Sequence, residues 1–130
     1  TRAEVREIEP YVVCQSTHAK HSPKQGVSRI PWLSGSATWT YYAITQYLLG
    51  LRPEIHGLRV DPCIPGAWKG FAVERRFRGK LVRVRVENPD GVQKGVRQVE
   101  LNGEALEDNL IPVAKMKDDN QVVVTLGVTA

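Results

Sequence analysis

The residues best suited to binding an anion lie between Trp32 and Trp39, where two serines and a glycine precede an amphipathic segment. Apolar residues at three- and four-residue steps predict a helix over 37–51. The first amides of a helix have no partners inside it and lie at the positive end of its dipole. The stretch therefore predicts a phosphate site made of backbone amides and the hydroxyl of Ser34 or Ser36. The same hydroxyl could instead be a plain N-cap, which the pattern by itself favours.

A second group of residues, Cys14, His18 and His21, has the chemistry of zinc ligands. A structural zinc site needs four ligands, and no fourth candidate is nearby. The residues that follow include Pro23 and Gly26, which predict an irregular loop. We therefore expect no metal. The chain has two cysteines, too few for a disulfide framework, so reduced thiols are expected.

The composition of the chain limits its size as a domain and the classes of molecule that it is expected to bind. The 130 residues can form one modest core, or the end of one domain and a small second one. A formal charge of +4 suits an anionic substrate, but the basic residues are scattered, apart from a cluster at Arg75, Arg76 and Arg78. That cluster predicts a solvated strand face, and nucleic acid is not expected. The chain has neither a signal-peptide pattern nor a membrane-length apolar run, so we expect a soluble, cytoplasmic protein.

The hydrophobic period changes from helical to alternating after Pro53. Residues 80–87 alternate strictly, which places Val82, Val84 and Val86 on a buried face. Further short β-rich runs follow, separated by residues typical of turns, and Asn102-Gly103 is the clearest hairpin signal. Short strands at this spacing, without a crossover helix, predict an antiparallel β-sandwich. The predicted strands are 58–60, 71–77, 80–87, 96–101 and 121–128.

A series of motifs in fixed order resembles a known family. The motifs are residues 9–15, 32–36, 49–53, 57–65, 76–79 and 87–96. Together they look like the C-terminal portion of the inverting β-glucoside phosphorylases, the glycoside hydrolase family 94 that contains cellobiose, cellodextrin and chitobiose phosphorylases. The resemblance runs from about Glu9 to Pro112, and the ordered set is far more specific than any one motif.

The resemblance implies a two-part fold and a reaction. Residues 1–56 would be the last segment of an (α/α)6 catalytic barrel, and residues 57–130 a small jelly-roll domain. Inorganic phosphate would attack the anomeric carbon of a β-linked glucoside, with cellobiose or a cellodextrin as the expected substrate. Inversion at that carbon would give α-glucose 1-phosphate. Phosphate is already nucleophilic at neutral pH, so no second carboxylate is needed to activate water.

The resemblance also implies roles for three residues. Ser34 and Gly35 stand where the family usually has Thr-Gly and would bind phosphate through a hydroxyl and an amide. Gln15 matches a glutamine that holds the transferred sugar. The family's acidic catalyst matches no residue here and is expected upstream, in the remainder of the parent enzyme. No cofactor is expected, because inorganic phosphate is a substrate, and the full enzyme is expected to be a homodimer.

Two other functions stay open on the sequence. A carbohydrate-binding module would bind sugar without chemistry, and Trp68 and Phe71 would be its stacking residues. A structural or interaction domain would use the basic strand face over 75–85 to pack against its parent enzyme or a second subunit. Glu9 and Asp61 each precede a proline, and we interpret both as structural.

Overall fold

The computed structural model describes residues 3–9, 11–32 and 35–128. The chain divides into two compact units, Thr1–Ala43 and Ile44–Ala130. The described part of the first unit contains helix α1 (Ala3–Arg6), the antiparallel strands β1 (Ser16–Thr17) and β2 (Ser28–Arg29), and helix α2 (Ser36–Ala43). A single π-helical turn, Ile44–Leu48, then begins the second unit.

The second unit consists mainly of strands. A three-stranded sheet has the order β3-β4-β9, and a five-stranded sheet has the order β5-β6-β10-β7-β8 among the described residues. A 3-10 turn at Val113–Lys115 joins β9 to the last strand. The strands are β3 (Leu51–Pro53), β4 (Gly57–Val60), β5 (Gly70–Phe77), β6 (Lys80–Glu87), β7 (Val96–Leu101), β8 (Glu104–Ala105), β9 (Leu110–Pro112) and β10 (Asp119–Leu126).

One hydrophobic core lies between the two sheets. Alternate residues of β6 and β10 point into it, since a strand buries every second side chain when one face is covered. Both sheets contribute fully buried residues, such as Leu58 from β4 and Val124 from β10. The prediction of a small β-rich domain is confirmed, including the burial of Val82, Val84 and Val86.

One strand pair departs from the antiparallel prediction. Strand β10 pairs with β7 antiparallel but with β6 in parallel, from Asp119 opposite Leu81 to Thr125 opposite Glu87. The sequence between β6 and β10 contains three strands, one of which belongs to the other sheet. Because this long connection returns the chain in the same direction, the parallel pair forms without a crossover helix.

The predicted strands occur close to their expected positions, and β6 and β7 have the predicted bounds. Strand β10 is the exception, because Asp119 and Asn120 belong to the strand and not to a preceding turn. Buried Asn120 accepts a hydrogen bond from the Lys117 amide at 2.8 Å and donates one to the Lys117 carbonyl at 2.8 Å. These bonds place a turn-forming residue at the start of a strand.

The helix prediction over 37–51 is right at its start and wrong at its end. Helical structure begins at Ser36 and stops at Leu48, and Leu51 is a buried strand residue opposite Val60. Gly50, at φ +70, ends the helix, and its carbonyl accepts the Asp61 amide at 2.9 Å.

The compact β unit also begins before the predicted domain boundary at residues 56 and 57. Pairing of β3 with β4 requires residues 51–53 to lie in the sheet. Among the described helices, none is both long and apolar enough to cross a membrane.

Candidate functional site

Gly35 lies at the N-cap position of α2. Its carbonyl accepts the first bond of the helix, from the Trp39 amide at 3.0 Å. The Ala37 and Thr38 amides precede that bond and therefore point out of the N-terminal end of the helix. Ser36 is the first residue inside α2 and not its N-cap, whereas Ser34 lies outside the described residues. A helix therefore starts after Gly35, where the sequence predicted the anion site.

The backbone at Gly35 is not crowded. A Cβ atom built on Gly35 would be 3.4 Å from Trp39 Cδ1, an ordinary van der Waals contact. Gly35 is exposed. A methyl group there would therefore contact the Trp39 ring without a clash.

Gln15 lies directly before β1. Its backbone amide donates to the carbonyls of Arg29 and Ile30, at 3.1 and 3.3 Å, which holds it beside the end of β2. Its side chain is exposed and makes no hydrogen bond with another described residue. An amide that is free to donate and accept at once suits neighbouring sugar hydroxyls. Gln15 and Gly35 belong to the same unit and directly precede different elements, β1 and α2.

Two of the three residues considered as zinc ligands, Cys14 and His18, have hydrogen-bond partners. The Cys14 thiol lies 3.4 Å from the Thr17 hydroxyl, and His18 Nδ1 lies 3.0 Å from the Ser22 hydroxyl. Hydrogen bonds from Thr17 and then Ser28 lower the pKa of Cys14 to about 7. Over the described ranges, no three His, Cys, Asp or Glu side chains are grouped as metal ligands. The absence of a metal stays a prediction.

The two acidic residues next to prolines make structural contacts. Glu9 accepts a hydrogen bond from Trp32 Nε1 at 3.2 Å. Backbone hydrogen bonding and then this Trp32 bond lower the pKa of Glu9. Asp61 accepts from Arg52 at 2.7 Å and lies 3.5 Å from the Lys94 ammonium. Both carboxylates therefore have partners within this chain, as a structural role requires.

The strand face over 75–85 is less basic than its sequence indicates. Arg83 forms ion pairs with Glu74 and Asp119, and Arg85 pairs with Glu87. Arg75 points inward and donates to the Leu51 carbonyl at 2.9 Å. Most of these cations therefore have partners within the β unit, which leaves a face of mixed charge.

A cavity of about 590 Å³ lies where β5 begins and β6 ends. Phe71 lines it and also packs against the hydrophobic core, whereas Trp68 is exposed and is not among the described lining residues. Sequence reasoning named Phe71 as a stacking residue and Arg85 as part of a packing face, but it placed neither Arg85 nor Glu87 at this cavity. These charged residues lie on the neighbouring strand and look like ordinary solvent-facing positions of an alternating pattern.

Helix α2 exposes large aromatic side chains. Trp39 is 72% exposed and Tyr41 is 69% exposed, and Trp39 makes an edge-to-face contact with Tyr42 at 6.2 Å between ring centroids. Among the described residues, all the buried hydrophobic side chains lie between Leu51 and Leu126. The described part of the first unit therefore has no hydrophobic core of its own.

Two family models match successive parts of the sequence. Residues 1–50 match the catalytic domain of the glycosyl hydrolase 94 superfamily, and residues 51–105 match the C-terminal domain of glycosyl hydrolase family 65. The two matches meet at residue 51, where β3 begins. The order of the two matches places the end of a carbohydrate-enzyme catalytic domain directly before a small β-rich domain.

Several phosphorylases are similar to this chain. N,N'-diacetylchitobiose phosphorylase from Vibrio proteolyticus is 44% identical over 124 residues, which cover 95% of this chain and 15% of that protein. Solabiose phosphorylase from Paenibacillus borealis is 29% identical over 81% of this chain and 14% of that protein. From the same organism, 3-O-beta-D-glucopyranosyl-beta-D-glucuronide phosphorylase is 38% identical over 65% of this chain and 11% of that protein.

These matches confirm the resemblance found in the sequence. By sequence, the chain corresponds to the C-terminal portion of the family 94 glycoside phosphorylases. It spans about 15% of the length of the chitobiose phosphorylase that it matches.

Proposed function

We propose that this chain is part of an inverting glycoside phosphorylase and that it supplies phosphate and sugar contacts to an active site completed by other parts of the enzyme. The observation that carries the proposal is the 44% identity to a chitobiose phosphorylase over 124 residues, which include both compact units. The missing core of the first unit also supports it, because a segment of a larger (α/α)6 barrel would bury its apolar side chains against other segments.

The reaction needs one acid and one nucleophile. A phosphate oxygen attacks the anomeric carbon, the glycosidic carbon–oxygen bond breaks, and an acidic side chain outside this chain gives its proton to the departing oxygen. The configuration inverts and a sugar 1-phosphate is released. No cofactor is required, because phosphate itself is the second substrate.

Within that reaction, the start of α2 would bind phosphate. The Gly35 amide and the Ser34 hydroxyl would donate to its oxygens, and the outward-pointing amides of α2 would add positive potential. Gln15 would hold the sugar that is transferred. The β unit, whose sheets begin at β3, would be the jelly-roll domain. We further propose that the full enzyme is a cytoplasmic homodimer, as the family resemblance implies.

The substrate we propose is a β-linked disaccharide. The sequence resemblance favours cellobiose or a cellodextrin, but two proteins that are 43% and 44% identical to this chain are N,N'-diacetylchitobiose phosphorylases. Phosphorolysis of both disaccharides by the full-length parent enzyme separates these alternatives. If the enzyme releases N-acetylglucosamine 1-phosphate and not glucose 1-phosphate, the proposed substrate becomes chitobiose in place of cellobiose.

The test of the phosphate site is Ser34→Ala in the full-length enzyme. A hydrogen bond to a charged group contributes about 1.5–3 kcal/mol, so we expect the KM for phosphate to rise by roughly ten- to a hundredfold. The KM for the disaccharide should change much less. Ser16→Ala, which removes an exposed hydroxyl beside Gln15, is the matched control. An unchanged phosphate KM in Ser34→Ala would remove Ser34 from the site.

A further inference from the structure

The segment that leads to Gln15 has no regular secondary structure. Residues 12–14 lie between a turn at Tyr11 and the start of β1. Contacts with neighbouring elements must therefore fix the place of the exposed Gln15 side chain. One such contact is the bond from the Gln15 amide to the carbonyls of Arg29 and Ile30, at the end of β2. A sugar contact on a loose segment would lose affinity, because binding would have to order the segment first.

Arg6, the last residue of α1, attaches the same segment at a second point. Its Nη2 donates to the Val12 carbonyl at 2.7 Å, and its Nε donates to the Ser28 hydroxyl at 3.4 Å. A short bond from a charged donor is among the stronger hydrogen bonds in proteins. Val12 lies three residues before Gln15, and Ser28 is the first residue of β2. One guanidinium therefore joins the segment to the strand that accepts the Gln15 amide.

The hydroxyl of Ser28 extends this network to the residue directly before Gln15. Ser28 is buried, and Arg6 is half-buried. The Ser28 hydroxyl lies 3.4 Å from the Thr17 hydroxyl, which in turn lies 3.4 Å from the Cys14 thiol. A buried polar group that loses its partner costs free energy, so these bonds favour one arrangement of the segment.

Helix α1 has a second contact that does not depend on Arg6. Gly26, two residues before β2, has φ +89, and a Cβ atom there would lie 2.4 Å from Val5 Cγ1. Glycine permits both this backbone conformation and this close approach. The packing of Val5 on Gly26 brings Arg6 to Ser28. We therefore expect that removal of the guanidinium releases the Gln15 segment while α1 stays in place.

We propose that Arg6 is a positioning residue for the sugar that Gln15 binds. The inference rests on the proposed function, because it takes Gln15 as a contact to the transferred sugar. Arg6 acts through Gln15 and not on the sugar itself. Its guanidinium holds Val12 and Ser28 together, and this fixes the amide of Gln15 where it can donate to and accept from the sugar hydroxyls. Small displacements of such a contact have large effects on an enzyme.

The experiment is a double-mutant cycle on Arg6 and Gln15 in the full-length parent enzyme, with cellobiose or N,N'-diacetylchitobiose as substrate. Arg6→Met keeps an unbranched apolar stem and removes the donors. We expect it to raise the KM for the disaccharide by roughly tenfold and to leave the KM for phosphate and kcat little changed. In the Gln15→Ala background the same change should have no further effect, since no side-chain amide remains to be positioned. Arg6→Lys, which keeps a charged donor, should restore part of the loss.

The matched control is Arg76→Met, the same substitution at an exposed arginine with no described side-chain hydrogen bond, and it should change neither KM. Thermal unfolding midpoints check that each variant is folded. If Arg6→Met lowers the midpoint, the milder Arg6→Lys replaces it in the cycle. An equal rise of the disaccharide KM in both backgrounds would overturn the proposal, because general loosening of the fold acts regardless of Gln15.

The cycle also distinguishes a failure of this inference from a failure of the proposed sugar contact. If Gln15→Ala raises the disaccharide KM and Arg6→Met does not, Arg6 has no positioning role and the sugar contact stands. If Gln15→Ala leaves that KM unchanged, the sugar contact itself is wrong, and the role of Arg6 is overturned with it.

Discussion

The two compact units of this chain differ in what stabilises them. Ile44–Ala130 has two sheets around a continuous core, with residues such as Leu58 and Val124 fully buried. Thr1–Ala43 has short elements and exposed aromatic side chains, and among its described residues only Ser28 is buried. The hydrophobic core sets the stability of Ile44–Ala130. The described part of Thr1–Ala43 has no such core and needs surfaces that this chain does not supply. The predicted phosphate and sugar contacts lie in the unit without a core.

The largest expected difference comes from deleting an apolar side chain in each unit. Leu58→Ala should lower the free energy of unfolding of this chain by about 3 kcal/mol, because it leaves a cavity in a closed core. Trp39→Ala should lower it by less than about 1 kcal/mol, since Trp39 is exposed and its described ring contact is with Tyr42. Urea unfolding of both variants measures the difference. Equal losses would show that both units share one core.

A smaller effect is expected where the helical turn enters the sheet. Gly50 has φ +70, and a Cβ atom there would lie 2.2 Å from the Asp61 carbonyl carbon. We therefore expect Gly50→Ala to destabilise the chain by about 2 kcal/mol or more. Gly103, at φ +86 in open space, is the control for backbone strain alone, and Gly103→Ala should cost about 1 kcal/mol. A loss at Gly50 no larger than at Gly103 would mean that the Asp61 contact relaxes freely.

The smallest effect concerns the acid stability of the β unit. A hydrogen bond from Arg59 to Glu54, at 2.5 Å, lowers the pKa of Glu54. A depressed carboxyl pKa stabilises the fold above the unfolded value of about 4.3, and that stability is lost as the pH falls through the folded pKa. Glu54→Gln should therefore be less stable than the parent chain at pH 7 and equal to it near pH 2.

The matched control for the acid-stability test is Glu107→Gln. Glu107 is exposed and forms no ion pair with another described residue, so its replacement removes a carboxylate without removing a salt bridge. Chemical unfolding at a series of pH values measures all three proteins. A difference between Glu54→Gln and the parent chain that persists at pH 2 would show that the Glu54 contribution is not electrostatic.

Sequence reasoning worked best where neighbouring residues decide the structure. The alternation over 80–87 predicted β6 with its exact bounds, and Asn102-Gly103 predicted a tight turn that the structure shows with positive φ at both residues. It worked less well at Leu51, whose helical spacing continued the pattern of α2 although the residue pairs with Val60 in a sheet. Short apolar runs do not distinguish helix from strand by periodicity.

Some parts of the candidate site can likewise be predicted from neighbouring residues, and others cannot. The start of α2 at Ser36, one residue before the predicted start, follows from local signals, because an N-terminal boundary depends on a few adjacent residues. The cavity at the start of β5 could not be predicted as a whole, since residues 69–72 and 85–89 are brought together only by the antiparallel register of β5 and β6.

By itself the sequence determined the family resemblance, the places of most long strands and the start of α2, because each depends on the order and type of residues close in the chain. The tertiary structure alone decided the parallel pairing of β6 with β10, the role of Leu51 in the core and the partners of Arg83 and Arg85. These features join residues that are distant in the chain. Local strand propensity does not choose between alternative strand partners, so the free energy gained by burying the shared core makes the choice.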